Sequence, residues 1–123
     1  MRASRKVLLA DDDPEIREVV SLVLEPHGFE TVAAADGSEA LELVKLHPDV
    51  AIILADLMMP RLGGAELIAI LKKDVLFRAI PIIVLSGDNL ARQRATALGA
   101  SDCLCKPVDL ANLVGTLNKF TQR

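Results

Sequence analysis

The fold is decided first at residues 6–14, which read KVLLADDDP. The mostly apolar run from Lys6 to Ala10 has the length and composition of a buried β-strand. Three aspartates follow at once. Asp13 is expected to cap a helix, and Pro14 stands at the first helical position, where proline is tolerated. The stretch therefore predicts a strand, a short acidic loop and a helix in immediate succession.

The same strand–helix unit recurs four more times along the chain. Short runs rich in Val and Ile predict strands over residues 30–34, 50–55, 81–86 and 102–105. Helical patterns start at Pro14, at Asp36, at Gly64, after Asp88 and after Asp109. We expect the first helix to end at Pro26, the third at about Lys73 and the fourth at Gly99. The expected apolar faces are Ile16, Val19, Val20 and Val23 in the first helix, and Leu90, Ala91, Ala95 and Leu98 in the fourth.

Strict alternation of five strands and five helices predicts an α/β fold with a parallel sheet covered by helices on both faces. The first, third and fourth strands are nearly all apolar, as central strands must be, whereas the second and fifth suit sheet edges. The flavodoxin-like (βα)5 three-layer sandwich, with strand order 2-1-3-4-5, meets this requirement. Ligands in such sheets bind beyond the carboxyl ends of the strands, where the order reverses.

Length and composition exclude several classes of protein. A chain of 123 residues, 51% hydrophobic and 25% charged, fits one domain over residues 1–123 without a separate output domain. A net charge of −3 and the absence of Trp and Tyr argue against direct nucleic-acid binding. No apolar run is long enough for a signal peptide or a membrane span. Two cysteines, Cys103 and Cys105, are expected to be reduced thiols, so we expect a cytoplasmic protein.

Polar residues meet at the predicted reversal of strand order. Asp11 and Asp12 follow the first strand and Asp56 follows the third, so three carboxylates should lie close together. Their mutual repulsion requires compensation, and an all-oxygen cluster favours Mg²⁺. Lys106 and Ser86 end the fifth and fourth strands at the same edge and supply an ammonium and a hydroxyl group.

Together these pieces identify the chain as a member of the bacterial response-regulator receiver domains, the family of the chemotaxis response regulator. The matching segments run in family order from Lys6 to Lys119. They are VLLADDDP at 7–14, PD at 48–49, IILADLMMP at 52–60, PIIVLS at 81–86, GA at 99–100 and KP at 106–107. Each segment alone is weakly specific, but the whole set at family spacing is highly specific.

The resemblance implies a role for each residue of the cluster. Asp56 would be the phosphoacceptor, and Asp12, Asp56 and the backbone carbonyl of Met58 would hold Mg²⁺, with Asp11 bound through water. Mn²⁺ is expected as a substitute metal. Lys106 and Ser86 would contact the phosphoryl oxygens, and the Lys106–Pro107 peptide bond would be cis.

The implied function is that of a phosphoacceptor in a two-component phosphorelay rather than of an enzyme acting on a separate substrate. A histidine kinase or histidine phosphotransfer protein would donate the phosphoryl group, and a downstream output protein or domain would read the switch. We expect a monomer or a weak dimer. Alternatives are a receiver excised from a larger regulator or hybrid kinase, and a docking module that works without phosphorylation.

Competing α/β classes lack their required residues. A flavodoxin needs a hydroxyl- and glycine-rich phosphate loop where this chain has three aspartates, and a P-loop or dinucleotide-binding protein needs glycine motifs. A haloacid-dehalogenase-type phosphatase needs a second Asp where this chain has Met58. Departures from the receiver pattern are Cys103 and Val108, where aromatics are common, and Gly63 in place of a common Asp. Met58 and Asp88 would flank the path of the water that removes the phosphoryl group.

Overall fold

The computed structural model describes residues 4–121 and shows five strands alternating with five α-helices. The strands are β1 (Lys6–Ala10), β2 (Glu30–Ala34), β3 (Val50–Asp56), β4 (Ile82–Ser86) and β5 (Asp102–Cys105). The helices are α1 (Pro14–Leu24), α2 (Gly37–Leu46), α3 (Gly64–Lys73), α4 (Asn89–Leu98) and α5 (Leu110–Thr121). Predicted and observed boundaries agree to within a residue or two.

All four strand pairings are parallel, and the strand order is β2-β1-β3-β4-β5, which confirms the predicted topology. Ala10 at the end of β1 lies between Ala34 of β2 and Ala55 of β3. The residues that follow β1 and β3 therefore emerge side by side. Ser86 is in register with Cys105, which brings the end of β5 to the same edge.

Successive residues of the central strands point to opposite faces of the sheet and build two cores, as the period of a strand requires. Leu8, Ile53 and Val84 pack with the helices α2, α3 and α4. Leu9, Leu54 and Leu85 pack with α1 and α5 on the other face. The result is the predicted three-layer sandwich, with β1, β3 and β4 covered on both faces.

The predicted apolar faces of α1 and α4 are wrong in part, because some of their residues are exposed. Val19 of α1 is 46% exposed because it borders an open groove between α1 and the segment that leads into α5. Leu90 and Leu98 of α4 are 70% and 37% exposed, and Ala95 is the buried residue of that helix. The physical reason is that α4 lies over the edge of the sheet, where the four-residue strand β5 offers little surface to cover a helix.

Helix ends follow the signals in the sequence with one difference. The carboxylates of Asp13, Asp36 and Asp88 each accept a backbone N–H at the start of α1, α2 and α4. Helix α1 ends at Leu24, before the expected Pro26, which lies in a 3-10 turn over Glu25–His27. Among residues 4–121, no helix has the length and apolar character needed to cross a membrane.

Candidate functional site

Three carboxylates come together at the carboxyl edge of the sheet, as the sequence predicts. One oxygen from each of Asp11, Asp12 and Asp56 lies within 4.8 Å of the others. Asp11 is completely buried, Asp56 is 6% exposed and Asp12 is exposed. Two negative charges are thus held out of water at short range, and this requires a neighbouring cation.

Lys106 supplies that cation from the end of β5. Its Nζ donates to Asp56 Oδ2 at 2.9 Å and to Asp11 Oδ2 at 3.3 Å. Burial by itself lowers the pKa of Lys106, but the hydrogen bond to Asp56 and the charges of both aspartates outweigh it and raise that pKa above 10.5. The Lys106–Pro107 peptide bond is cis, as expected.

Asp11 is fixed by the loop that its own sequence builds. Its Oδ1 accepts the Asp13 N–H at 2.9 Å, and its backbone carbonyl accepts a hydrogen bond from Arg17 at 2.7 Å. Burial raises the pKa of Asp11 above its ordinary value, and the charge of Asp56 adds to that effect, while the Asp13 N–H and Lys106 act against it. The site therefore holds a carboxylate that is costly to ionise.

The backbone around Asp56 is closely packed. The Met58 N–H donates to Asp56 Oδ1 at 3.2 Å, and the Met58 side chain points to solvent with 77% exposure. Gly64, at the start of α3, has no space for a Cβ, which would collide with the backbone oxygen of Asp56. This glycine lets α3 begin directly against the strand that carries Asp56.

Ser86 lies at the same edge, 5% exposed, at the end of β4. Its Oγ accepts the Asp88 N–H at 3.1 Å, and its backbone carbonyl accepts the Lys106 N–H at 3.2 Å. The Asp88 carboxylate is itself engaged in capping α4 through Leu90 and Ala91. The hydroxyl is thus oriented by the start of the loop that leads into α4.

The donor atoms fit a hard divalent cation. All three converging ligands are carboxylate oxygens, a set that suits Mg²⁺ or Mn²⁺. Asp12 is exposed, so an ion could reach the cluster from solvent.

Cys103 and Cys105 are free thiols away from this cluster. Cys103 is half-buried, and its Sγ lies 3.6 Å from the Arg92 carbonyl and from Thr96 Oγ1 on α4. It packs as a small side chain between β5 and α4, which agrees with its interpretation as a small, partly buried residue.

Two arginines near the site were missed in the sequence. Arg17 binds the Asp11 carbonyl, and its place in the first turns of α1, close after the acidic loop, was a usable signal. Arg61 binds Asp36 at the start of α2 from the loop that follows β3. Arg61 and Asp36 are 25 positions apart in the sequence, and no local pattern connects them.

Comparison with known proteins finds relatives that match nearly the whole chain. The transcriptional regulatory protein CpxR homolog of Haemophilus influenzae is 36% identical over 120 residues, which is 96% of this chain and 51% of that protein. The chain therefore spans about half the length of this relative. The solved receiver domain of Francisella response regulator 1452 is 34% identical with a TM-score of 0.89, covering 98% of both chains.

A second solved structure, Vibrio cholerae chemotaxis protein CheY4, is 32% identical with a TM-score of 0.88, over 96% of this chain and 99% of that one. The sequence profile described as "Response regulator receiver domain" matches residues 7–118, nearly the whole chain. The chain therefore belongs to the response regulator receiver domain family.

Proposed function

We propose that this receiver accepts a phosphoryl group on Asp56 and thereby switches its affinity for an output partner. The observation that carries the proposal is the buried Asp56 carboxylate, 2.9 Å from the Lys106 ammonium and grouped with Asp11 and Asp12. A buried carboxylate beside a cation is an oriented nucleophile in a site suited to phosphoryl charge.

The reaction is a substitution at phosphorus. An oxygen of Asp56 forms a bond to phosphorus, while the bond from phosphorus to the donor breaks and its electron pair leaves with the donor. The donor atom is a histidine nitrogen in a phosphorylated protein or an acetate oxygen in acetyl phosphate. Hydrolysis of the resulting aspartyl phosphate returns the carboxylate and inorganic phosphate.

Three groups would assist this substitution. Lys106 would move from Asp11 and Asp56 to the incoming phosphoryl oxygens, and Ser86 would donate its hydroxyl hydrogen to one of them. Asp12, Asp56 and the Met58 carbonyl would hold Mg²⁺, with Asp11 bound through water. When bound, the metal would neutralise charge on the phosphoryl group.

Acetyl phosphate with Mg²⁺ tests the proposal without a protein partner. We expect intact-mass spectrometry to show one added phosphoryl group, lost in Asp56→Asn. Asp13→Asn is the matched control, because Asn caps a helix as well as Asp, and it should be labelled like the parent. Labelling of Asp56→Asn at the parent's rate would refute the assignment of Asp56, and absence of labelling in the parent would favour a docking module.

The protein donor would dock beside Lys106. A groove of about 300 Å³ runs between α1 and the start of α5, and apolar side chains form most of its walls. The groove borders the phosphoacceptor edge, so a helix lying in it could bring a phosphohistidine to Asp56. Its apolar lining residues are Ile16, Val19, Val20, Pro107, Val108 and Leu110.

A substitution in this groove separates docking from chemistry. Val19→Asp should reduce phosphotransfer from a histidine kinase or histidine phosphotransfer protein, while labelling by acetyl phosphate stays at the parent's level. Leu46→Asp, at a 72% exposed position of α2, places the same charge away from the groove and should change neither reaction. Equal loss of both reactions in Val19→Asp would contradict the docking assignment.

A further inference from the structure

The loop after Asp56, residues 57–63, is held at its base and at its apex. At the base, the Leu57 carbonyl accepts the Gly64 N–H at 3.0 Å. At the apex, the Leu62 carbonyl accepts the Gly37 N–H of α2 at 2.9 Å. Gly37 has no space for a Cβ against Leu62, so the loop lies directly on the first turn of α2.

The apex contains a strained turn at Arg61. Arg61 has a φ of +64°, a left-handed conformation that is unfavourable for a residue with a Cβ. The Leu62 N–H donates to the Pro60 carbonyl at 2.7 Å, so the hydrogen bond spans only the residue between them. A positive φ with this bond has the form of a classic γ-turn, which is rare and strained. Such a turn persists only where surrounding contacts hold it.

Beside the Gly37–Leu62 contact, the side chain of Arg61 itself is held by an ion pair with Asp36. Arg61 Nε donates to Asp36 Oδ2 at 2.7 Å, and Nη2 binds the same oxygen. Asp36 is 5% exposed and is fixed because its other oxygen accepts the Glu39 N–H at 2.8 Å. The Arg61 side chain is 67% exposed, so solvent weakens its Coulomb attraction to Asp36. The main effect of its two N–H donors is therefore to fix the orientation of the guanidinium group.

We propose that Arg61 is a positioning residue for the metal site, because its pairing with Asp36 holds the turn that fixes the path of residues 58–60. This inference rests on the proposed function, in which the Met58 carbonyl is a metal ligand. Met58 lies between the base of the loop and the Arg61 turn. Release of the turn would leave its carbonyl free to move away from Asp56.

The direction in which metal affinity changes when Arg61 is removed distinguishes a positioning role of Arg61 from a purely electrostatic one. Arg61 is a cation near a cation site, so its removal should strengthen metal binding if only Coulomb forces act. A weakening therefore reports the lost position of the ligand. Arg61 acts on Met58 through the turn and not by direct contact, so we expect Arg61→Ala to weaken metal binding by about tenfold, the lower limit for loss of an outer contact to a ligand.

Arg61→Gly is the decisive companion variant. It removes the same charge as Arg61→Ala, but glycine adopts positive φ without strain, so the turn persists better without its ion pair. We expect the parent to bind the metal most tightly, Arg61→Gly to bind it less tightly, and Arg61→Ala to bind it least tightly. Arg78→Ala, which removes an exposed cation from the connection between α3 and β4, should bind metal like the parent.

The measurement is a titration with Mn²⁺ in which electron paramagnetic resonance counts the free ion, with far-ultraviolet circular dichroism confirming that each variant is folded. The inference is overturned if Arg61→Ala binds Mn²⁺ as tightly as the parent, or if Arg61→Gly is no better than Arg61→Ala. Asp12→Ala tests the proposed metal site independently of the role of Arg61. If the parent binds no Mn²⁺ or Asp12→Ala binds it normally, the proposed metal site itself fails.

Discussion

Replacement of Lys106 by Met should destabilise the metal-free protein strongly at neutral pH. The variant keeps the bulk of the side chain but removes the charge that Asp11 and Asp56 share. Both aspartates are buried and remain at close range, so the folded state then contains two uncompensated carboxylates. An uncompensated buried charge is among the most destabilising consequences of a single substitution.

The distances give the size of the effect. At an effective dielectric constant of about 20, the ion pairs at 2.9 and 3.3 Å correspond to gross attractions of about 6 and 5 kcal/mol. Several kcal/mol of this is offset because the ammonium loses water and side-chain freedom. We therefore expect the free energy of unfolding to fall by about 3 kcal/mol, or the midpoint temperature by about 10 °C.

Urea unfolding in EDTA measures this loss. The chain has neither Trp nor Tyr, so far-ultraviolet circular dichroism, which follows the loss of helix, replaces fluorescence as the probe. Burial raises the pKa of Asp11 and Lys106 acts against that rise, so removal of Lys106 raises the pKa further and the folded variant takes up this proton at a higher pH than the folded parent. The deficit of Lys106→Met should be full near neutral pH and should shrink as the pH falls toward about 4.

Lys45→Met is the matched control, since Lys45 is an exposed residue of α2 and its loss should change stability by no more than about 0.5 kcal/mol. Saturating Mg²⁺ should stabilise Lys106→Met more than the parent, because the ion replaces the missing positive charge. A Lys106→Met protein as stable as the parent in EDTA, or a deficit that does not depend on pH, would refute this electrostatic account.

Three further outcomes are expected. Met58→Asn should lose its phosphoryl group faster than the parent after the donor is removed, because an amide can bind the attacking water; a rate no faster would contradict this. On addition of beryllofluoride, amide chemical shifts of the parent should change most over residues 87–90, and Cys103→Tyr should extend the change to β5; a parent response centred on Cys103 would oppose this. Gly64→Ala should cost about 2 kcal/mol in urea unfolding, since its Cβ collides with Asp56, and an unchanged midpoint would be inconsistent with that packing.

The sequence predicts the order of the elements and the meeting of Asp11, Asp12 and Asp56 for one physical reason. Central parallel strands are covered on both faces, so their apolar runs identify them, and their carboxyl ends share one edge of the sheet. Lys106 and Ser86 reach the same edge by that argument. The cap at Asp13 follows from local backbone chemistry, which needs no tertiary information.

Other features depend on what the rest of the fold covers. The period of a helix tells which residues share a face, but Val19 and Leu90 are exposed because neighbouring elements leave their part of the face open. The turn at Arg61 is opposed by local preference, since a side chain disfavours positive φ. It exists through Asp36, 25 residues away, and no short-range rule could predict that pairing.

Helix α4 has a consequence for how the native protein opens. Among its ten residues, all within the described part of the chain, Ala95 is the buried one, while Asp88 and Gly99 close its two ends. The free energy that protects backbone amides from hydrogen exchange rises with the apolar surface that an opening exposes to water. The amides of α4 should therefore exchange through a partial opening that withdraws Ala95 from its core and leaves the rest of both cores packed. Ser86 lies three residues before α4, so the segment after the site can rearrange while the sheet remains folded.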